Sequence, residues 1–210
     1  PVSDSAIVST EITYISQSLK NDRQVHDFNL VTEDYSSYNT LLSNLINQNI
    51  NSLYSSVGYD LNKTRFRFFF HANLEINHND FNSVFNNEDK SFLRNFVFPS
   101  YNTKFIYRFS RTKSVELSNM SSFNAPSMMS LNPFTDISNP LVTIQGNPDL
   151  ESTWKNTSSL YFLNRNIPKN ITYSAKIKFD YTDNDVTDYS YYDDAGRQFR
   201  TYANISGNKV

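Results

Sequence analysis

The stretch RFRFFFHANLEINH, residues 65–78, constrains the fold more than any other part of the chain. Phe66, Phe68, Phe70, Ala72, Leu74 and Ile76 share one parity, while Arg65, Arg67, His71, Asn73, Glu75 and Asn77 hold the other. A period of two sends these sets to opposite faces of a β-strand. Strands of soluble proteins usually run ~5–6 residues, but this alternation lasts about a dozen, near the ~9–11 that a tilted strand needs to cross a bilayer.

The pattern recurs. In NITYSAKIKFDY, Ile171, Tyr173, Ala175, Ile177, Phe179 and Tyr181 alternate with Thr172, Ser174, Lys176, Lys178 and Asp180. TKFIYRF sets Phe105, Tyr107 and Phe109 against Lys104 and Arg108, and LYSSVGYDL sets Leu53, Val57, Tyr59 and Leu61 against Ser56, Gly58 and Asp60. VSTEITYIS is a weaker case, with Val8, Ile12 and Tyr14 on one parity.

Between these strands, short turns are expected around Lys20 to Arg23, Leu61 to Thr64, Ser110 to Lys113 and Asn166 to Asn170. Longer polar connections are expected over Glu33 to Gln48, Asn77 to Asn95, Asn124 to Asp149 and Thr182 to Gln198. Leu41, Leu42, Leu45 and Ile46 have helical spacing and suggest a short helix in the first long loop. Alternating short and long connections fit an all-β chain, an antiparallel up-and-down transmembrane β-barrel segment of about nine strands ending near TYANISGNKV. A soluble β-sandwich also alternates, but its strands would be shorter, and so many rings on one face would need an opposing sheet of matching length.

Composition supports this reading. Aromatic residues make up 15% of the chain, 14 of them Tyr and 17 Phe, against a hydrophobic total of 38%. Nineteen basic and 21 acidic side chains give a formal charge of −2, so there is no global electrostatic pull towards nucleic acid. With no cysteine there is neither a disulfide framework nor a thiolate metal site. No apolar run is long enough for a transmembrane helix, and the start, PVSDSAIVST, has neither Met nor a signal-peptide pattern, which suggests processing or a piece of something longer.

The stretch LNPFTDISNPLVTIQGNPDLESTWKNTSSLYF carries a more specific signal. Pro148 fixes its own φ and biases Asn147 towards extended geometry, while Gly146 is free to take φ > 0, so together they end a loop and aim the chain into a strand. Gly146, Asn147, Pro148 and Leu150, with Glu151 and Trp154 after them, resemble the Gly-Asn-Pro-x-Leu signature of TonB-dependent outer-membrane receptors. Pro126, Leu131, Asn132 and Pro133 sit where these receptors carry a Pro-containing stretch, and DISNP and YANISG are most similar to the SusC-like and related outer-membrane β-barrel proteins of the Bacteroidota. One departure is Glu151-Ser152-Thr153, where the family often has Lys-Pro-Glu.

The resemblance implies a middle slice of a barrel of about 22 strands, with the plug domain and remaining strands lying outside this sequence. It implies a transporter without cofactor, importing an oligosaccharide, peptide or metal complex. Extracellular loops, chiefly Asn77 to Asn95 and Asn124 to Asp149, would capture the ligand with the polar lumen face. Implied partners are TonB, through a missing amino-terminal region, a SusD-like surface lipoprotein and outer-membrane lipid.

Chemical motifs are otherwise sparse. His26, His71 and His78 form no metal-spaced pair, and His71 with Glu75 only shares the polar face of one strand. No GxSxG, phosphate loop or Cys nucleophile occurs. Asp183, Asp185 and Asp194 fit positions 1, 3 and 12 of a calcium loop, but Asp188 stands where the turn glycine belongs, which favours a solvated loop. Sequons at Asn62, Asn119, Asn156, Asn170 and Asn204 are expected by chance in an Asn-rich chain. Tyr59, Phe66, Tyr101, Tyr161 and Tyr181 are candidates for interfacial girdles, Phe68 and Ile177 for the lipid face, and Arg67 and Lys178 for the lumen. A second reading, an extracellular carbohydrate-binding module or adhesin, would use rings such as Trp154 and Tyr191 to stack on sugars.

Overall fold

The computed structural model describes residues 5–85, 88–139 and 141–207. Its strands are β1 (Ser5–Arg23), β2 (His26–Asn29), β3 (Asp34–Tyr38), β4 (Asn44–Asn62), β5 (Phe66–Phe85), β6 (Glu88–Arg108), β7 (Lys113–Asn124), β8 (Thr135–Asn139), β9 (Val142–Gln145), β10 (Thr153–Asn166), β11 (Ile171–Tyr192) and β12 (Gln198–Gly207). One short helix, α1 (Met128–Leu131), lies between β7 and β8. The all-β, antiparallel architecture expected from the sequence is present.

Ten strands form one sheet in the order β1-β4-β5-β6-β7-β10-β11-β12-β9-β8, and β2 and β3 form a separate hairpin. Every neighbouring pair in the large sheet is antiparallel except β12 with β9. Among the described residues β1 pairs with β4 alone.

Cross-strand register shows why the alternating residues matter. Residues opposite one another share a face, and one row runs Ala6, Leu61, Phe68, Phe105, Leu117, Leu160 and Ile177 across seven strands. All are apolar, and Ile177 is 70% exposed in the isolated chain. The next row, one residue along each strand, is Ile7, Asp60, Phe69, Lys104, Ser118, Ser159 and Lys178. It points to the other side and is mostly polar. One face of the wall is a coat of hydrocarbon and rings, and the other is hydrated, as in a transmembrane barrel.

The coat has limits. On β5 its side chains run from Phe66 to Ile76, after which the same face carries His78, Asp80 and Asn82. β4, β5, β6 and β11 contain 19, 20, 21 and 22 residues, about twice what a bilayer needs. These strands continue past the apolar belt, always on the side away from the tight turns at 63–65, 109–112 and 167–170.

Three of the four expected tight turns are therefore present, but β1 runs through Lys20 to Arg23. The expected loops over Asn77 to Asn95 and Thr182 to Gln198 are mainly strand. Beyond the belt the outward face meets water while the inward face buries polar Asn77, Asn79 and Ser83 beside Phe81, so the apolar-polar alternation fades although the ladder continues. No helix forms over Leu41 to Ile46. Asn44 opens β4 opposite Phe85, and ladder hydrogen bonds win over helical spacing in so short a segment.

Candidate functional site

The segment between β7 and β10 folds into the interior above the belt, and local hydrogen bonds set its path. Ser127 caps α1 by accepting from the Ser130 backbone N–H at 3.1 Å, and Ser130 Oγ donates back to the Ser127 carbonyl at 2.8 Å. Leu131 at the end of α1 and Leu150 at the end of the segment are both completely buried. They pack with Phe81, and Phe92, Met128, Val186 and Tyr202 complete the cluster. Phe81 and Phe92 stack at 4.6 Å between centroids. This small core joins the loop to inward-facing residues of β5, β6, β11 and β12.

Each residue of the Gly-Asn-Pro-x-Leu motif has a definable task. Gly146 does not adopt a positive φ, which among the described glycines only Gly196 does. The expected left-handed conformation is therefore replaced by close approach. A Cβ at Gly146 would stand 2.7 Å from Asn132 N and 2.9 Å from Ser130 O, and closer still to Asn132 O. Asn147 donates its N–H to Ser130 O at 2.7 Å, accepts from Asp149 N at 3.0 Å through Oδ1, and donates Nδ2 to Tyr202 O at 3.1 Å. Pro148 lies inside the Asx turn so formed. Leu150 fills the core, and its carbonyl accepts from Arg94 Nη2 at 2.6 Å.

Beyond the motif, Glu151 N donates to Asn204 Oδ1 at 2.8 Å, and Asn204 Nδ2 donates to Glu151 O at 3.0 Å and to Asn184 O at 2.8 Å. Asn184 Nδ2 in turn donates to Glu151 Oε2 at 3.1 Å. Asn184 has φ 52°, a left-handed conformation that Asn tolerates, at the register shift between β11 and β12. Arg94 and Asn184 carry no sequence signal, whereas Tyr202 and Asn204 lie in YANISG, where Asn204 reads only as a chance sequon. Arg94 stands between Leu93 and Asn95 without a spacing signal, and Tyr202 takes part through its backbone carbonyl as well as its packing on the core. On the far side, Phe134 packs 5.3 Å from Phe85 beneath the Lys90 ammonium, 4.5 Å from the ring. Arg23, Ile46 and Gly146 share a cavity there of about 90 Å³. The loop thus spans the interior from the β11–β12 side to the β1–β4 side.

Below the loop lies the hydrated face. Arg67 pairs with Asp60 at 2.8 Å, Lys104 with Glu116 at 3.1 Å and Lys178 with Asp180 at 2.7 Å. Arg67, Phe69, Asn102 and Lys104 line a recess of about 210 Å³. Higher up, Gln48 donates to Asn79 at 2.9 Å, Asn79 to Asn77, and Asn77 to Ser52 at 3.0 Å, so these buried amides are satisfied in a ladder across β4 and β5.

The other sequence candidates are distributed along the wall. Arg67 and Lys178 face the lumen and Phe68 and Ile177 the opposite side, as expected. Tyr161 is no girdle residue. It lies opposite Glu116 and Lys176 on the hydrated face, because its neighbour Leu160 belongs to the apolar row. His71 stacks on Phe69 at 4.2 Å and covers Gly58. Asp183, Asp185 and Asp188 lie on β11 and Asp194 in the following turn, and Asp188 pairs with Arg200. The spacing of a calcium loop is thereby pulled straight.

The whole chain, residues 1–210, matches the outer membrane protein beta-barrel family. It belongs to that family. Comparison with curated proteins and with solved structures finds no match. For an outer-membrane β-barrel the two faces acquire fixed surroundings: the apolar rows meet lipid, and the row containing Lys104 and Lys178 lines the interior. The tight turns belong on the periplasmic side and the extended strands on the cell surface of a Gram-negative outer membrane.

Proposed function

We propose that the chain forms part of the wall of a TonB-dependent outer-membrane receptor that imports a nutrient ligand, an oligosaccharide, peptide or metal complex. The observation that carries this reading is the loop bearing Gly146, Asn147, Pro148 and Leu150. It folds inward across the space above the polar lumen face and is anchored at Leu150 and Asn147 to both sides of the wall. Such a loop narrows the entrance and leaves Arg67, Lys104 and Lys178 for a solute that has passed it.

Among the described residues β1 has a free edge and β12 an unpaired end, which call for further strands for closure, because open ladder groups are not tolerated in hydrocarbon. These strands and an amino-terminal plug would belong to the same polypeptide, with TonB pulling on the plug. A SusD-like lipoprotein would sit on the surface rim, where Leu30 and Val31 stand 84% and 91% exposed at the β2–β3 hairpin. The role is transport and not catalysis.

The test is capture of the intact polypeptide, solubilised from outer membranes, on the purified periplasmic domain of TonB. Retention that is abolished by deleting the region amino-terminal to β1 supports the proposal. A polypeptide that folds in the outer membrane yet is not retained refutes it.

A further inference from the structure

The lipid-facing coat carries a continuous polar patch across three neighbouring strands. Across β6, β7 and β10 its two rows above Phe105, Leu117 and Leu160 read Thr103, Asn119, Ser158 and then Tyr101, Ser121, Asn156. Asn119 Nδ2 donates to Asn156 Oδ1 at 2.9 Å and to Ser158 Oγ at 2.7 Å, and Asn156 Nδ2 reaches the Tyr101 hydroxyl at 3.2 Å. Trp154 caps the patch, donating its indole N–H to Ser121 Oγ at 2.7 Å. Directly above, where β7 and β10 end and β6 and β11 continue, Arg94, Glu151, Trp154 and Asp183 border a cavity of about 440 Å³.

Side-chain amides facing acyl chains are costly unless every donor and acceptor is used. The internal bonds leave carbonyl lone pairs on Asn119 and Asn156 for an outside donor. From cell surface to membrane interior, the order is a polar cavity, then two rows of uncharged amides and hydroxyls, then an apolar row. We infer that this strip binds an outer-leaflet lipid whose acyl chains are amide-linked and hydroxylated. Its headgroup occupies the cavity beside Trp154, its amide and hydroxyl groups bond to Asn119, Asn156 and Ser158, and its chains lie over Leu117 and Leu160. The amide rows themselves contain no cation, which separates this chemistry from recognition of phosphate alone.

The test uses the intact protein in its native outer membrane, with a benzophenone amino acid at Leu117, irradiation, and mass analysis of the adduct. The expected adduct is a lipid with amide-linked chains, enriched over its share of the membrane. It should fall about tenfold when Asn119 and Asn156 are both changed to Leu, as expected for loss of one to two hydrogen bonds. Adducts in bulk lipid proportions, or on a polypeptide, would overturn the inference. A second measurement does not depend on the double variant folding. The unaltered protein is placed in phosphatidylethanolamine bilayers with increasing lipid A, and emission is followed from Trp154, the single tryptophan. A saturable shift at low lipid A supports the site, and a linear or absent response contradicts it.

Discussion

The side-chain amide of Asn147 donates to the main-chain carbonyl of Tyr202 at 3.1 Å, tying the end of the inward loop to strand β12. Asn147→Asp keeps the acceptor for Asp149 N but removes this donor and sets a carboxylate against a carbonyl. The expected cost is ~1–3 kcal/mol. Urea unfolding of the intact barrel in liposomes, followed by heat-modifiable gel migration, measures it, and an unchanged midpoint would remove Asn147 from the anchor.

Gly146→Ala tests close approach, because the added methyl meets the backbone of Ser130 and Asn132 and not a movable side chain. Overpacking of this kind costs ~1–3 kcal/mol. Gly58→Ala provides a contrast, since its methyl meets the His71 ring and Ser9 hydroxyl, which can rotate away. The expected order of destabilisation in the same assay is Gly146 above Gly58.

Leu150→Ala opens a void where the loop is packed like a protein core, against Phe81 and Leu131. The expected loss is ~2–5 kcal/mol. Hydrogen exchange at Leu131 and Asn147 should rise before exchange in β5, showing that the loop is released while the wall stays folded.

How much of this was legible follows from where hydrocarbon meets the chain. Phe66 to Ile76 and Ile171 to Tyr181 announced themselves because one face meets lipid and the other water. Past Ile76 the outward residues become His78, Asp80 and Asn82, the contrast vanishes, and strand became indistinguishable from polar loop. The motif residues are visible, but what Gly146 serves is not a left-handed turn, and sequence carries no sign that the backbone of Ser130 and Asn132, 16 and 14 residues earlier, passes against it. Arg94 and Asn184 join the site through tertiary pairing alone, and Asn204, although it lies in YANISG, gives no sign of that pairing, because Asn and Arg in hydrated strands are too common to stand out.

The turn after β11 offers a pH test outside the membrane. Asp193 Oδ1 accepts from Arg197 N at 2.8 Å and Ala195 N at 3.0 Å, and Oδ2 accepts from Arg197 Nε at 2.7 Å. The Arg197 backbone N–H, then its guanidinium and the Ala195 N–H, hold this carboxyl below its ordinary value of 3.8. A depressed carboxylate contributes order that is fully present above the unfolded value and is lost as pH falls through the folded one. Carboxyl-carbon NMR should place the Asp193 midpoint below 3.8, with slow exchange of the Ala195 and Arg197 amides persisting down to it. A midpoint at or above 3.8 would contradict the assignment.

The central claim is that consecutive residues of the wall face lipid and water in turn, and the absence of cysteine makes it directly measurable. Single cysteines carrying nitroxide labels would be placed at Lys104 and Phe105, Leu160 and Tyr161, and Ile177 and Lys178 of the intact protein in outer-membrane vesicles. Phe105, Leu160 and Ile177 should relax with lipid-dissolved oxygen, and Lys104, Tyr161 and Lys178 with a water-soluble nickel chelate. Equal access of the nickel chelate to both members of each pair would contradict the barrel orientation on which everything above depends.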